Sequence, residues 1–214
     1  DFENLALIKT YNTNAQVPDS AGTATAILSG YKTNIGAINV PADLIEARSA
    51  DVCNPDALPP NLTTRAKQAG KSVGILSTAR ITHATPAAMY GHAASRSLEA
   101  DRDIKGVFEG CASLAAQLVT SDADIVLGGG RAEFTPEQLE ALAATHHYAE
   151  TKADMMSAPA GTTVRGLFTP SHMSYEADRA DTEEPSLAEM TGFAIDRLSE
   201  NENGYVMMIE AGRV

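Results

Sequence analysis

The chain has 214 residues, 43% of them apolar and 21% charged, and it contains no tryptophan. Sixteen Lys and Arg against 28 Asp and Glu give a formal charge of −12, a field that repels phosphate backbones and anionic lipid surfaces. General nucleic-acid or membrane-surface binding is therefore disfavoured. No apolar run approaches the ~20 residues of a membrane helix, and no signal-peptide, basic-block or low-complexity pattern is visible.

The first residues, Asp1 to Asn4, lead without an initiator methionine into the apolar Leu5, Leu7 and Ile8. Residues 17–26 follow, where Pro18, Asp19 and Ser20 read as a helix start and the small residues after them allow close packing. Residues 61–70 read as a helix with an Asn61 cap and a terminating Gly70, directly before a strand at 72–78. A second helix is expected over 107–119, with Val107, Cys111, Leu114 and Leu118 at helical spacing, before a strand at 123–130. A further helix is expected over 136–144.

The stretch 146–181 has weak periodicity and scattered Pro, Gly, Ser, Thr and charges, and reads as an irregular surface excursion within a single domain, 1–214. Ser186 and Glu189 then form a capping box, and Leu187, Met190, Ala194, Ile195 and Leu198 make an apolar stripe leading to a strand at 205–210. The three strand runs are continuous rather than alternating, as expected for strands covered on both faces. Helix-then-strand, three times over, predicts an α/β fold with a mostly parallel central sheet flanked by helices. The chain stops two residues after Gly212, with no helix to cover its last strand. It is expected to be an internal piece of a longer protein, with the fold incomplete.

In such sheets ligands bind beyond the carboxyl ends of the strands, where Thr78, the Gly128–Gly130 triplet and Glu210 lie. Ser20, at a helix start, places its hydroxyl near unpaired N–H groups that suit a phosphate or a developing oxyanion. A plain N-cap on an alanine-rich helix explains the same pattern. No Gly-x-Ser-x-Gly elbow surrounds Ser20, so an α/β-hydrolase reading finds no support, and a metal ion is the natural activator of such a serine.

His83, Thr85, His92 and Arg96 follow the 72–78 strand. A loop histidine is more often a surface residue than a ligand, and Arg96 reads as a solvated helix charge unless its fork grips two phosphate oxygens. Glu210, a carboxylate ending an apolar strand, needs a partner or a cation. His146 and His147 read as exposed and His172 as part of the irregular stretch, all three without a role. Cys53 and Cys111 lack a Cys-x-x-Cys spacing and are either one bridge or two buried thiols.

Five colinear stretches together resemble the alkaline phosphatases: 18–26 with Ser20, 65–74, 83–87 running on to Arg96, 125–131, and 185–191 continuing to 209–213. The resemblance covers nearly the whole chain. It implies hydrolysis of phosphate monoesters through a phosphoserine, with two zinc ions and one magnesium, in a homodimer that is periplasmic or secreted. On it, Ser20 matches the nucleophile, its alkoxide held by one zinc. Arg96 matches the clamp on two phosphate oxygens, and Thr85 and Glu210 match magnesium ligands.

His83 stands where the enterobacterial form has aspartate and where animal and some marine bacterial relatives have histidine. Imidazole suits magnesium poorly, so His83 is expected behind that ion through water, with zinc or cobalt at the third site as the alternative. The family's first metal-binding aspartate would precede Asp1, and its Asp-His-x-x-His run would follow Val214. The 214-residue piece alone is therefore expected to be inactive. The resemblance also implies a Cys53–Cys111 disulfide. The alternatives are a phosphodiesterase or sulfatase of the same superfamily, and a non-catalytic phosphate- or metal-binding relative.

Overall fold

The computed structural model describes residues 3–179 and 182–213. Asp1, Phe2 and Val214, at the two ends discussed above, and the last two residues of the 146–181 stretch lie outside the described residues. Strands β1 (Ser72–Arg80), β2 (Ile125–Gly129), β3 (His147–Ala149), β4 (Val164–Leu167) and β5 (Tyr205–Glu210) form one five-stranded sheet in the order β3-β4-β2-β1-β5. All pairings are parallel. The helices are α1 (Ser20–Ser29), α2 (Ala42–Glu46), α3 (Leu62–Gln68), α4 (Ala84–Tyr90), α5 (Leu114–Val119), α6 (Pro136–Thr145), α7 (Lys152–Met156) and α8 (Leu187–Leu198). The α/β class expected from the sequence is the observed one.

Successive strand side chains point to opposite faces. Val73, Ile75 and Val126 pack with Ala21, Ala66, Ala87, Leu114 and Leu142 from α1, α3, α4, α5 and α6. Leu76, Ile125 and Leu127 pack on the other face with Met155 of α7 and Met190, Ala194 and Leu198 of α8. A strand covered on both faces has no polar side to alternate, which is why β1 and β2 read as continuous apolar runs. Gly74 permits this packing: a Cβ there would stand 2.7 Å from Leu198 Cδ1. The caps at Asn61 and Ser186 form as expected. β2 and β5 flank β1 on opposite sides, so β1 is an interior strand whose carboxyl end lies where ligands bind in sheets of this kind.

Several expectations are corrected. The 107–119 helix is only α5: Gly106 and Gly110 have positive φ (63° and 93°), and Ser113 caps a new start by accepting from Ala116 N. In α8, Met190, Ala194 and Leu198 are buried and Leu187 packs against them as expected, but Ile195 is 38% exposed and Phe193 is buried in its stead. Strand β5, last in the sheet order, is half-buried, as expected of a strand whose covering helix is absent from the 214 residues.

The 146–181 stretch is not wholly an excursion, since it supplies β3, α7 and β4. Arg165, in the middle of β4, is 1% exposed, and its guanidinium donates to the Val164 and Ser121 carbonyls at 3.2 and 2.9 Å. A charge and Gly166 inside a four-residue strand erase its apolar signature. His146 and His147 are half-buried, bonded to Thr163 Oγ1 and the Asp154 carbonyl. Cys53 and Cys111 form a disulfide across a sequence separation of 58.

Candidate active site

Asp19 caps α1 in extended conformation, its Oδ1 accepting from Gly22 N at 3.0 Å and from Asn12 Nδ2 at 3.2 Å. Gly22 is required for this, because a Cβ there would fall 2.2 Å from Asn12 Oδ1. Burial raises the proton affinity of the Asp19 carboxyl. Hydrogen bonds from Gly22 N, Gly36 N, Asn12 and Arg96 outweigh it and hold the group below the usual carboxylate range. Ser20 is the first residue of α1, half-buried, at the positive end of the helix.

Arg96 is a turn residue, not the helix charge expected from spacing. An antiparallel bridge between Ile38 and Ala93 delivers the segment, and Arg96 N donates to the Gly36 carbonyl at 2.6 Å. The side chain is 27% exposed. Its Nη1 donates to Ser20 Oγ at 2.7 Å and to Asp19 Oδ2 at 3.1 Å, and its Nη2 stands 3.1 Å from His83 Nε2. A guanidinium only donates, so Nε2 is the acceptor and the proton sits on Nδ1. Burial lowers the His83 proton affinity, the Arg96 charge adds to this, and Glu99 and Glu210 oppose it. The imidazole is thus neutral at pH 7.

The remaining candidates divide. Thr85 is half-buried in the first turn of α4, just after His83, and among the described residues no side-chain hydrogen bond joins it to Ser20, Arg96 or His83. Glu210 ends β5 opposite Ser77, whose Oγ donates to its Oε2 at 2.6 Å. His92 lies apart, with Nε2 donating to the Pro59 carbonyl at 2.8 Å. The structure therefore brings Ser20, Arg96 and His83 into contact and leaves Thr85 and Glu210 near them on the same end of the sheet.

Sequence reasoning missed the residues behind this group. Glu99 accepts from Arg80 Nε at 2.8 Å, Arg80 Nη2 at 2.6 Å and Thr82 Oγ1 at 2.6 Å. His172 Nδ1 accepts from Arg80 N at 3.1 Å, and its ring stands edge-on to His83 with centroids 5.4 Å apart. The glycine triplet makes room for these contacts. A Cβ on Gly130 would lie 2.9 Å from Arg80 Cβ, and one on Gly129 would lie 2.2 Å from the Ser171 carbonyl oxygen. The triplet was the only sequence signal for the approach of the His172 loop.

Among the described residues, no three His, Cys, Asp or Glu side chains gather as a metal site. Four ligands of nitrogen, sulfur or carboxylate make a zinc site, and this donor set does not fit one. Thr85 and Glu210 supply oxygen donors of the kind magnesium prefers, without completing its shell.

The alkaline phosphatase family model matches residues 1–214. The tissue-nonspecific alkaline phosphatase of the cat is 37% identical over 251 residues, covering all of this chain and 47% of that protein. The alkaline phosphatase of Atlantic cod is 35% identical, covering all of this chain and 51% of that protein. Among solved structures, the cold-active enzyme of a psychrophilic Shewanella superposes with TM-score 0.75 at 32% identity, over 94% of this chain and 45% of that one. The enzyme of the Antarctic bacterium TAB5 gives 0.74 at 26%, over 99% and 56%. The chain spans about half the length of the curated relatives it matches. On the whole-chain family match and these relatives, the chain belongs to the alkaline phosphatase family.

Proposed function

We propose that the protein hydrolyses phosphate monoesters through a phosphoserine at Ser20. The observation that carries this reading is the 2.7 Å contact from Arg96 Nη1 to Ser20 Oγ at the N-terminus of α1. A cationic donor on Oγ favours the ionised oxygen. In the first step Oγ gives up its proton and forms a bond to phosphorus as the P–O bond to the ester oxygen breaks on the opposite side, and that oxygen takes up a proton to leave as the alcohol. The Arg96 fork holds two non-bridging oxygens, and the first N–H groups of α1 face the developing charge. In the second step water takes the place of the leaving alcohol and releases phosphate from Ser20. A fork with two parallel donors suits the dianion of a monoester better than a diester or sulfate, which carries a single charge.

The family implies metal cofactors, and two zinc ions with one magnesium is our proposal for their identity. The donors in this chain fall short of that set, so the 214 residues alone are proposed to be inactive. Thr85 and Glu210 would contribute to magnesium. Two variants of the TAB5 enzyme, in which one histidine is replaced by aspartate or glutamate, hold magnesium in its M3 site. We read His83 as the residue standing behind magnesium in this protein, through water. The Cys53–Cys111 disulfide suits an oxidising compartment, in keeping with a periplasmic or secreted homodimer.

Acid-quenching the full-length protein after mixing with an aryl phosphate, followed by peptide mass spectrometry, tests the reading. It expects phosphate on Ser20 and no turnover by Ser20→Ala. An active Ser20→Ala variant overturns it. Phosphate binding retained without any turnover by the parent protein would make the protein a binder instead.

A further inference from the structure

We propose that Glu99 is a positioning residue for Arg96, tying the turn that carries Arg96 to the loop that carries His83. The proposal rests on the phosphatase reading above and concerns how its phosphate clamp is held in place.

Glu99 lies three residues after Arg96, at the far end of the same turn. Its carboxylate is 13% exposed and takes the Nε and Nη2 of Arg80 as a fork, at 2.8 and 2.6 Å, with Thr82 Oγ1 as a third donor at 2.6 Å. Arg80 ends β1, and Thr82 immediately precedes His83. The backbone beside Glu99 is fixed independently, since the Leu98 and Glu99 carbonyls accept from Leu114 N and Ala115 N at the start of α5. The turn is thus anchored on one side to a helix and on the other to the tip of the central strand.

Between these anchors stands Arg96, whose Nη2 meets His83 Nε2 and whose Nη1 meets Ser20 Oγ. The two segments that Glu99 joins each deliver one partner of that contact. The other carboxylate near Arg80, Glu133, stands 3.8 Å from its Nε and pairs with Arg102, so it does not replace the fork. A bidentate arginine–carboxylate pair fixes direction as well as distance, which is what a clamp on a tetrahedral anion requires.

A buried ion pair also stabilises simply by being paired, so loss of activity alone would not distinguish positioning from folding. A double-mutant cycle does. In the full-length protein, kcat/KM for an aryl phosphate and the inhibition constant of inorganic phosphate are measured for the parent, Glu99→Ala, Arg96→Ala and the double variant. Thermal unfolding is followed for all four.

Glu99→Ala is expected to lower kcat/KM and weaken phosphate inhibition by roughly tenfold to a hundredfold. With Arg96 already replaced, the same change is expected to cost less than about threefold, because the group being positioned is gone. Equal losses in both backgrounds overturn the proposal. Should Glu99→Ala fail to fold, Glu99→Gln carries the same cycle, keeping an acceptor for Thr82 while discarding the charge against Arg80. A parent protein without phosphatase activity overturns the functional reading and this inference together. An active parent with additive losses overturns Glu99 alone.

Discussion

Arg96 and Ser20 stand 76 positions apart in the sequence, and Nη1 of the first donates to Oγ of the second across 2.7 Å. The same nitrogen reaches Asp19, the cap of the helix that Ser20 begins. The guanidinium therefore rests on a helix N-terminus with a hydroxyl and a carboxylate beneath it and the neutral His83 at its side. An entering phosphate would meet the arginine fork and the helix dipole from the same direction.

On the proposed reading, Arg96 acts as a clamp rather than a base. Arg96→Ala is expected to lower kcat/KM of the full-length protein by about 10²–10³, the usual cost of removing one donor to a developing oxyanion. Arg96→Lys should recover only part of that, since a point charge cannot span two oxygens. Steady-state kinetics with an aryl phosphate decide it. A loss below threefold for Arg96→Ala would remove the residue from the site.

His83→Asp exchanges a neutral nitrogen for a carboxylate beside Glu210 and Thr85. If His83 stands behind magnesium, the change should tighten magnesium binding by roughly 10–100-fold, the scale on which groups behind a metal's direct ligands act. Calorimetric titration of the metal-depleted full-length protein with magnesium reads this directly. An unchanged dissociation constant would dissociate His83 from that ion.

Where the sequence was legible, one physical signal dominated. Residues 72–78 and 125–129 could be read because a doubly covered strand must be apolar throughout. The helix starts at Asp19–Ser20 and at Ser186 could be read because caps are local chemistry within four residues. Strand β4 was hidden because Arg165 pairs with carbonyls rather than with a carboxylate, so neither its charge nor its neighbours betray burial. At the site, the colinear motifs pointed to Ser20, His83 and Arg96. Glu99 and His172 carry no motif: their partners Arg80 and His83 lie 19 to 92 positions away, and only the fold joins them.

The Cys53–Cys111 bond closes a loop of 58 positions, long enough that cross-linking the unfolded chain should stabilise by about 4 kcal/mol in the chain-entropy model. A Cys53→Ser, Cys111→Ser variant of the full-length protein is expected to lose roughly that much in denaturant unfolding. Thiol titration of the native parent should find neither cysteine reactive. Two titratable thiols would contradict the pairing.

A pH dependence follows from His146, at the end of α6. Burial, reinforced by the nearby Arg165 charge, lowers its pKa from 6.5 to about 4, and Nδ1 contacts Thr163 Oγ1 at 2.6 Å. The unfolded chain takes up this proton near pH 6.5 while the folded chain resists until about pH 4. The unfolded state therefore binds more protons across that interval, and stability must fall as pH falls through it. Above pH 6.5 the contribution is complete. Because the ring is only half-buried, solvent screening reduces the effect to roughly 1–2 kcal/mol. Urea midpoints of the full-length protein at pH 7, 5.5 and 4.5 should decline more steeply for the parent than for His146→Gln, which cannot take up the proton. Parallel declines would show that His146 titrates as it does in water, and that the Arg165–His146 proximity has no thermodynamic consequence.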